Sequence, residues 1–352
     1  MKKPTTAALL IIAVCLFSLA GCIVPQKPGR GACLYQVEPV TGRGYYLYLP
    51  DDYVKHHGQR ADGGRWPVMV TFHGMDPWDT AGRQIKECQQ EADRYGFLVI
   101  APKLDTSNSL MQYPLKDPNL SYVKRDERAV IAIMDEVFRR TNADPTRVLS
   151  TSWSCGGYLA HFMVNRYPER FCCLAVRQSN FSEHLLDPAQ VPKYRRMKIG
   201  IFFGENDLPA CRNESLRAVE WYRQHGFYVE AKLVEGLAHE RTPQTAAAFF
   251  AASIGVKPKS PPPLGDLVMK DVVPDGDRFR TVNPGQSSNG AGSLPGYSMS
   301  GSSDRNIVFG PEQDRQPSRP VSVVPAQPVR RNPPTLHDTT GSTPTPRRPI
   351  VP

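Results

Sequence analysis

The stretch Val148-Leu149-Ser150-Thr151-Ser152-Trp153-Ser154-Cys155-Gly156-Gly157 constrains the fold more than any other part of this chain. A β-forming run gives way to small residues, and a helical pattern starts at Gly156-Gly157 and continues through Tyr158-Leu159-Ala160-His161-Phe162-Met163-Val164. Strand, tight turn and helix in that order lift a serine hydroxyl above the end of a sheet. Three registers of the G-x-S-x-G pattern are open. With Ser154 at the centre, the flanking small positions are Ser152 and Gly156. With Cys155 at the centre, the bulky Trp153 would fill a crowded turn. With Ser152 at the centre, no glycine relieves the backbone. Ser154 fits best.

Around this stretch, short apolar runs alternate with helical patterns. Strands are predicted at Tyr45–Leu49, Val68–Phe72, Phe97–Ile100, Val148–Thr151, Cys172–Val176, Ile199–Phe203 and Val229–Val234. Helices are predicted at Gln84–Tyr95, Arg125–Arg140, from the elbow to Tyr167, at Glu214–His225 and at Thr242–Ile254. The second of these carries Val130, Ile133, Met134 and Val137 on one face, and Thr141 to Thr146 reads as a turn. Continuous apolar strands alternating with helices imply an α/β domain, a mostly parallel sheet covered on both faces, over residues 36–255. The segment between the strands Cys172–Val176 and Ile199–Phe203 is too short for a separate cap domain.

The ends differ from the centre. Met1-Lys2-Lys3, an apolar run from Ala7 to Ala20 and then Leu19-Ala20-Gly21-Cys22 describe a signal peptide over residues 1–21. Leu19-Ala20-Gly21-Cys22 resembles the bacterial lipobox, which implies lipid attachment at Cys22 and a membrane-tethered protein in the cell envelope. With Ile23 in place of Asp, resemblance to Gram-negative lipoproteins then implies the outer membrane. Residues 22–35 read as a tether. More than half of the prolines fall in residues 256–352, with no sustained periodicity, so this part reads as a disordered tail. Its basic Pro/Arg segments, such as Pro346-Arg347-Arg348-Pro349, suit contact with the cell envelope, although a solvated spacer is the simpler reading.

Composition narrows the remaining classes. The net charge of +9 comes from scattered basic residues without an Arg/Lys stripe among aromatics, so nucleic acid is not an expected partner. Of the 8 cysteines, Cys15 leaves with the signal and Cys22 takes the lipid. The others are Cys33, Cys88, Cys155, Cys172, Cys173 and Cys211. An exported chain meets an oxidising compartment, but the pairing is open. No Cys/His cluster has zinc spacing, so no metal or other cofactor is expected.

A serine hydroxyl needs a base, and in the elbow arrangement the acid follows the serine and the histidine follows the acid. His56, His57, His73, His161 and His184 come too early. His225 sits at a helix end and His337 in the tail. His239 remains, on the loop after Val229–Val234. The acid is Asp207, on the loop that leaves Ile199–Phe203, with Glu205 as the alternative. Oxyanion donors are expected from the backbone N–H groups of Cys155 and of Met75, with Gly74 as the alternative. Met75 and Trp78 are candidates to wall an acyl pocket.

From about Tyr45 to Phe250 the chain resembles the polyhydroxybutyrate depolymerase and feruloyl esterase branch of the α/β-hydrolase superfamily. The resembling residues are Tyr46-Leu47-Tyr48-Leu49-Pro50, Phe72-His73-Gly74 and Gly96-Phe97-Leu98-Val99-Ile100-Ala101-Pro102. Asp144-Pro145-Thr146-Arg147-Val148, Ser154-Cys155-Gly156-Gly157-Tyr158, Tyr167-Pro168-Glu169-Arg170-Phe171 and Gly204-Glu205-Asn206-Asp207 complete the set. The resemblance implies an α/β-hydrolase fold and a Ser154–Asp207–His239 triad. It also implies ester hydrolysis through an acyl-enzyme, on polyester or plant-polymer esters. Two departures stand out: Ser152 replaces the first elbow glycine, and Gly236-Leu237-Ala238-His239 lacks a glycine next to the histidine. A serine peptidase, or a binding protein built on a decayed hydrolase site, are the alternatives to an esterase.

Overall fold

The computed structural model describes residues 29–109, 121–265, 267–275 and 278–284. The signal peptide, Cys22 and most of the proline-rich tail lie outside these residues. Ten strands form one sheet: β1 Ala32–Val37, β2 Gly44–Leu49, β3 Trp66–Phe72, β4 Leu98–Pro102, β5 Ala143–Ser154, β6 Cys173–Ser179, β7 Lys198–Gly204, β8 Val229–Val234, β9 Met269–Asp275 and β10 Arg278–Val282. Their order is β1-β2-β4-β3-β5-β6-β7-β8-β9-β10. The six from β4 to β8 in that order run parallel, and antiparallel strands flank them on both sides. This is the α/β-hydrolase architecture.

Among the described residues, five helices of more than ten residues cover the two faces: α1 Ala81–Tyr95, α2 Ser121–Arg140, α3 Gly156–Arg166, α4 Pro209–Gln224 and α5 Pro243–Ile254. One apolar core lies under α2, α3 and α4, with Val130, Met134, Leu159, Met163, Val219 and Tyr222 packed on the sheet. The other lies under α1 and α5, around Ile85, Ala92, Phe249 and Phe250. Neighbours on a strand face opposite ways, so on β5 Val148 enters the first core and Leu149 the second. Burial on both faces explains why the central strands read as continuous apolar runs.

Between β6 and β7 only short helical turns occur, at Glu183–Leu185, Pro188–Gln190 and Val191–Tyr194. No cap domain is inserted there, as expected. Among the described residues no helix is long and apolar enough to cross a membrane.

The sheet extends beyond the expected domain at both ends. β1 starts at Ala32, inside the segment read as a tether, and β9 and β10 lie inside the segment read as a disordered tail. β1 and β10 are the edge strands of the sheet, β9 lies between β8 and β10, and their burial comes from the neighbours they dock on. β9 pairs with β8 through Lys232↔Asp271, Leu233↔Lys270 and Val234↔Met269. Val272 is buried there, while Lys232 pairs with Asp271 at 2.6 Å and Lys270 with Glu235. β5 likewise starts earlier than expected, at Ala143. It runs through the Asp144-Pro145 segment read as a turn, and its register against β3 shifts between Trp66 and Val68. All six cysteines among the described residues are free thiols.

Candidate active site

At the carboxyl end of β5 the backbone of Ser154 turns into the left-handed region, with φ of 55°. A serine there is strained. The strain persists because α3 starts at once and packs between the ends of β3 and β6. A Cβ at Gly156 would lie 2.1 Å from the Phe72 carbonyl oxygen, and one at Gly157 would lie 2.2 Å from that of Asn180. Ser152 fills the position usually held by the first elbow glycine. Ser179 donates to the Arg177 carbonyl at 3.0 Å, so the Ser152 hydroxyl donates to Ser179, at 2.8 Å. Its extra polar atom is thereby satisfied.

The structure brings the three expected side chains together. His239 Nε2 lies 3.0 Å from Ser154 Oγ, and His239 Nδ1 lies 2.6 Å from Asp207 Oδ1. The carboxylate can only accept, so Nδ1 carries the ring proton and Nε2 is free to accept from the serine. The Asp207 side chain is fully buried, while His239 keeps 14% of its surface exposed. The other hydrogen bond to Asp207 Oδ1 comes from the Leu208 N–H at 2.7 Å.

The loops carrying acid and base are clasped together. The N–H of Asn206 donates to the Leu237 carbonyl at 2.8 Å, and that of Glu205 to the Val234 carbonyl at 2.9 Å. A Cβ at Gly204 would lie 2.2 Å from the Leu237 carbonyl oxygen, so glycine is needed for this approach. The carboxylate of Glu205 accepts the Gly236 N–H at 2.8 Å. Glu205 therefore braces the loop, and the alternative acid does not face His239.

On the donor side, Gly74 approaches the serine closely: a Cβ there would lie 3.0 Å from that of Ser154. Its N–H, however, is directed into Asp79 Oδ2 at 2.6 Å. This corrects the expectation for Gly74, whose donor is already spent inside the protein. The Gly74–Met75 peptide is fixed from the other side. His73 Nε2 accepts the Leu104 N–H at 2.9 Å, so His73 Nδ1–H donates to the Gly74 carbonyl at 2.7 Å. Burial pushes the pKa of His73 down, which keeps it in this neutral form. With the carbonyl of that peptide tied back, its N–H, on Met75, points the opposite way. The Cys155 N–H stands at the start of α3, where the helix dipole favours negative charge. Met75 is half-buried, and Trp78 is exposed to 49%.

Sequence reasoning missed several residues around this centre. Cys211, at the start of α4, places its sulfur within 4.8 Å of ligand-type atoms of Asp207 and His239. Burial and the nearby Asp207 push its pKa up, which disfavours a thiolate. Trp153 lies 4.5 Å from the His239 ring between centroids. Asp79 and Arg241 sit behind the donor and base loops. No motif marks them, and only their offsets from Gly74 and His239 connect them to the site.

No family model matches the chain. Among curated proteins, feruloyl esterase B of Neurospora crassa is 27% identical over 161 residues, 44% of this chain and 51% of that protein. Acetylxylan esterase A of Emericella nidulans is 22% identical over 167 residues, 46% of this chain and 52% of that protein. The chain thus spans about half the length of the curated relatives it matches. Among solved structures, an S-formylglutathione hydrolase from Staphylococcus aureus superposes with a TM-score of 0.49 at 16% identity, covering 66% of this chain and 99% of the other.

Proposed function

We propose that this chain is a serine hydrolase that cleaves carboxylic esters through an acyl-enzyme. The observation that carries this reading is the continuous hydrogen-bonded path from Ser154 through His239 to Asp207, with the serine held in a strained turn. The likeness to a feruloyl esterase and an acetylxylan esterase supports it.

In this mechanism Ser154 Oγ attacks the ester carbonyl carbon as its proton passes to His239 Nε2. Asp207 accepts the Nδ1–H and stabilises the imidazolium. The N–H groups of Cys155 and Met75 hold the oxygen that becomes negative. Collapse breaks the bond to the alkoxide, which takes the proton from Nε2 and leaves as the alcohol. Water then gives a proton to His239 and attacks the acyl carbon. Collapse of the second tetrahedral species returns that proton to Ser154 and frees the acid. An assembled path of this kind argues against a decayed site.

The substrate class proposed is an ester of a polymer, an acetylated or feruloylated polysaccharide or a polyester, which an open site without a cap at β6–β7 would admit. The protein is further proposed to be exported and anchored through lipid on Cys22 in the outer membrane. Labelled palmitate should enter the wild type and not Cys22→Ser.

The test of the activity compares wild type with Ser154→Ala on p-nitrophenyl butyrate, methyl ferulate and acetylated xylan. Turnover of at least one by the wild type, lost in the variant, is the expected result. Equal rates in the two proteins reject Ser154 as the nucleophile.

A further inference from the structure

Behind the candidate site lies a buried ion network that the mechanism above does not use. Its centre is Asp79, whose side chain is fully buried. Four donors converge on its two oxygens. Oδ2 accepts the Gly74 N–H at 2.6 Å and Gln84 Nε2 at 2.8 Å. Oδ1 accepts the Thr80 N–H at 2.9 Å and Arg241 Nη2 at 2.9 Å. Arg241 in turn donates from Nη1 to Glu87 at 2.7 Å and from Nη2 to the Trp78 carbonyl at 3.1 Å. Glu87 also takes the fully buried Arg177 at 2.7 Å. Two guanidinium groups thus meet two carboxylates, and the charges balance inside the protein.

The placement of the partners matters more than their number. Arg241 lies two residues after His239, on the loop of the base. Asp79 holds Gly74, on the loop of the proposed oxyanion donor Met75. The Arg241 guanidinium also lies 4.2 Å from the centre of the Trp153 ring. That ring lies 4.5 Å from the His239 ring, and its indole N–H donates to the Glu240 carbonyl at 3.2 Å. One side chain therefore touches the donor loop, the base loop and the residue before Ser154. The Arg fork can hold two carboxylates and a carbonyl at fixed angles, which a lysine cannot.

We propose that Arg241 and Asp79 are positioning residues that hold the oxyanion-donor loop and the His239 loop in register with each other. The proposal rests on the esterase reading. Both supported groups act on charge that develops only in the transition state, so loosening them lowers kcat and leaves substrate affinity nearly unchanged. Asparagine cannot replace Asp79, because its amide offers one accepting oxygen to four donors and turns its NH₂ toward the others.

The experiment measures kcat and KM on p-nitrophenyl butyrate for wild type, Ser154→Ala, Asp79→Asn, Arg241→Met, Arg241→Lys and the Asp79→Asn/Arg241→Met double variant. Assays run well below each variant's melting temperature, with fluorophosphonate labelling counting the competent sites. Removing one oxyanion donor outright costs on the order of 10²- to 10³-fold, so a displaced donor should cost roughly 10- to 100-fold in kcat per labelled site. KM should stay within about threefold, and the double variant should be no slower than the slower single, because both break one link. Arg241→Lys, the milder change, should keep the fold and still lose kcat. Folded variants with wild-type kcat per site overturn the proposal, as do multiplicative losses in the double variant. If Ser154→Ala is as active as wild type, the esterase reading itself fails; if it is inactive while Arg241→Lys and Arg241→Met are unimpaired, only the positioning role fails.

Discussion

His161 lies one helical turn behind the elbow, on α3, and its surroundings set a measurable limit on acid stability. Its ring is fully buried against Phe181 at 4.9 Å and Tyr222 at 5.6 Å between centroids. Nδ1 pairs with the Tyr222 hydroxyl at 2.9 Å, and Nε2 has no hydrogen-bond partner among the described residues. Removal from water alone pushes its pKa from the ordinary 6.5 down to about 3. The folded protein therefore holds the neutral ring, and the unfolded chain takes the proton first. This group's contribution to stability is complete above pH 6.5 and is lost as the pH falls from there toward about 3. Below the unfolded pKa the slope is about 1.4 kcal/mol per pH unit, which gives a loss of about 2 to 3 kcal/mol between pH 7 and pH 4.5. His161→Gln keeps a partner for Tyr222 but cannot titrate, so it removes this slope while leaving the other titrating groups in place. Urea unfolding of both proteins at the two pH values should show the wild type losing about 2 to 3 kcal/mol more than the variant. In thermal melts the same difference is roughly 5 to 10 °C. An equal loss in both proteins would falsify the argument, as would a C–H resonance of His161 that titrates near 6.5 in the folded state.

Three further outcomes are expected. Asp207→Asn should lower kcat by about 10⁴-fold through loss of the correct His239 tautomer, whereas Glu205→Gln, at the carboxylate that accepts the Gly236 N–H, should stay within a few-fold; ester kinetics on both variants separates acid from brace. Gly156→Ala drives a Cβ to 2.1 Å from the Phe72 carbonyl oxygen, so it should cost about 3 kcal/mol in chemical unfolding with activity lost alongside. Ending the chain before Met269 removes β9 and β10, uncovers the edge of β8 and gives up the burial of Val272. That should cost about 2 kcal/mol or more and promote aggregation, measurable by calorimetry and light scattering, whereas ending it after Pro284 should leave the melting temperature unchanged.

The sequence by itself determined the parts whose cause is local. The switch from a β-forming run to Gly156-Gly157 and a helical pattern marked the elbow, because strand, tight turn and helix each need their own residue types within a few positions. Most of the seven expected strands were legible as short apolar or β-forming runs because burial on both faces demands them, while β8, with Glu230 and Lys232 in alternation, is the exception. Chain order together with loop position left His239 as the base and Asp207 as the acid, with Glu205 still open as the alternative.

Tertiary structure decided what depends on a distant neighbour. β1, β9 and β10 are short and partly charged, and they become strands by docking on a sheet edge that no short window shows. The sequence favoured the Met75 amide but left that of Gly74 open as the alternative. Asp79 takes the Gly74 N–H, and His73 holds the carbonyl of the peptide that carries the Met75 N–H. Glu205 and Asp207 differ by two positions, yet one braces Gly236 and the other faces His239, because the Leu237 carbonyl fixes how their loop bends. Arg241 meets Asp79 only after two loops more than 150 residues apart are folded against each other. A side chain's propensity belongs to its own stretch of chain. The partner of a buried hydrogen bond is set by whichever donor and acceptor the packed fold leaves side by side, out of reach of water.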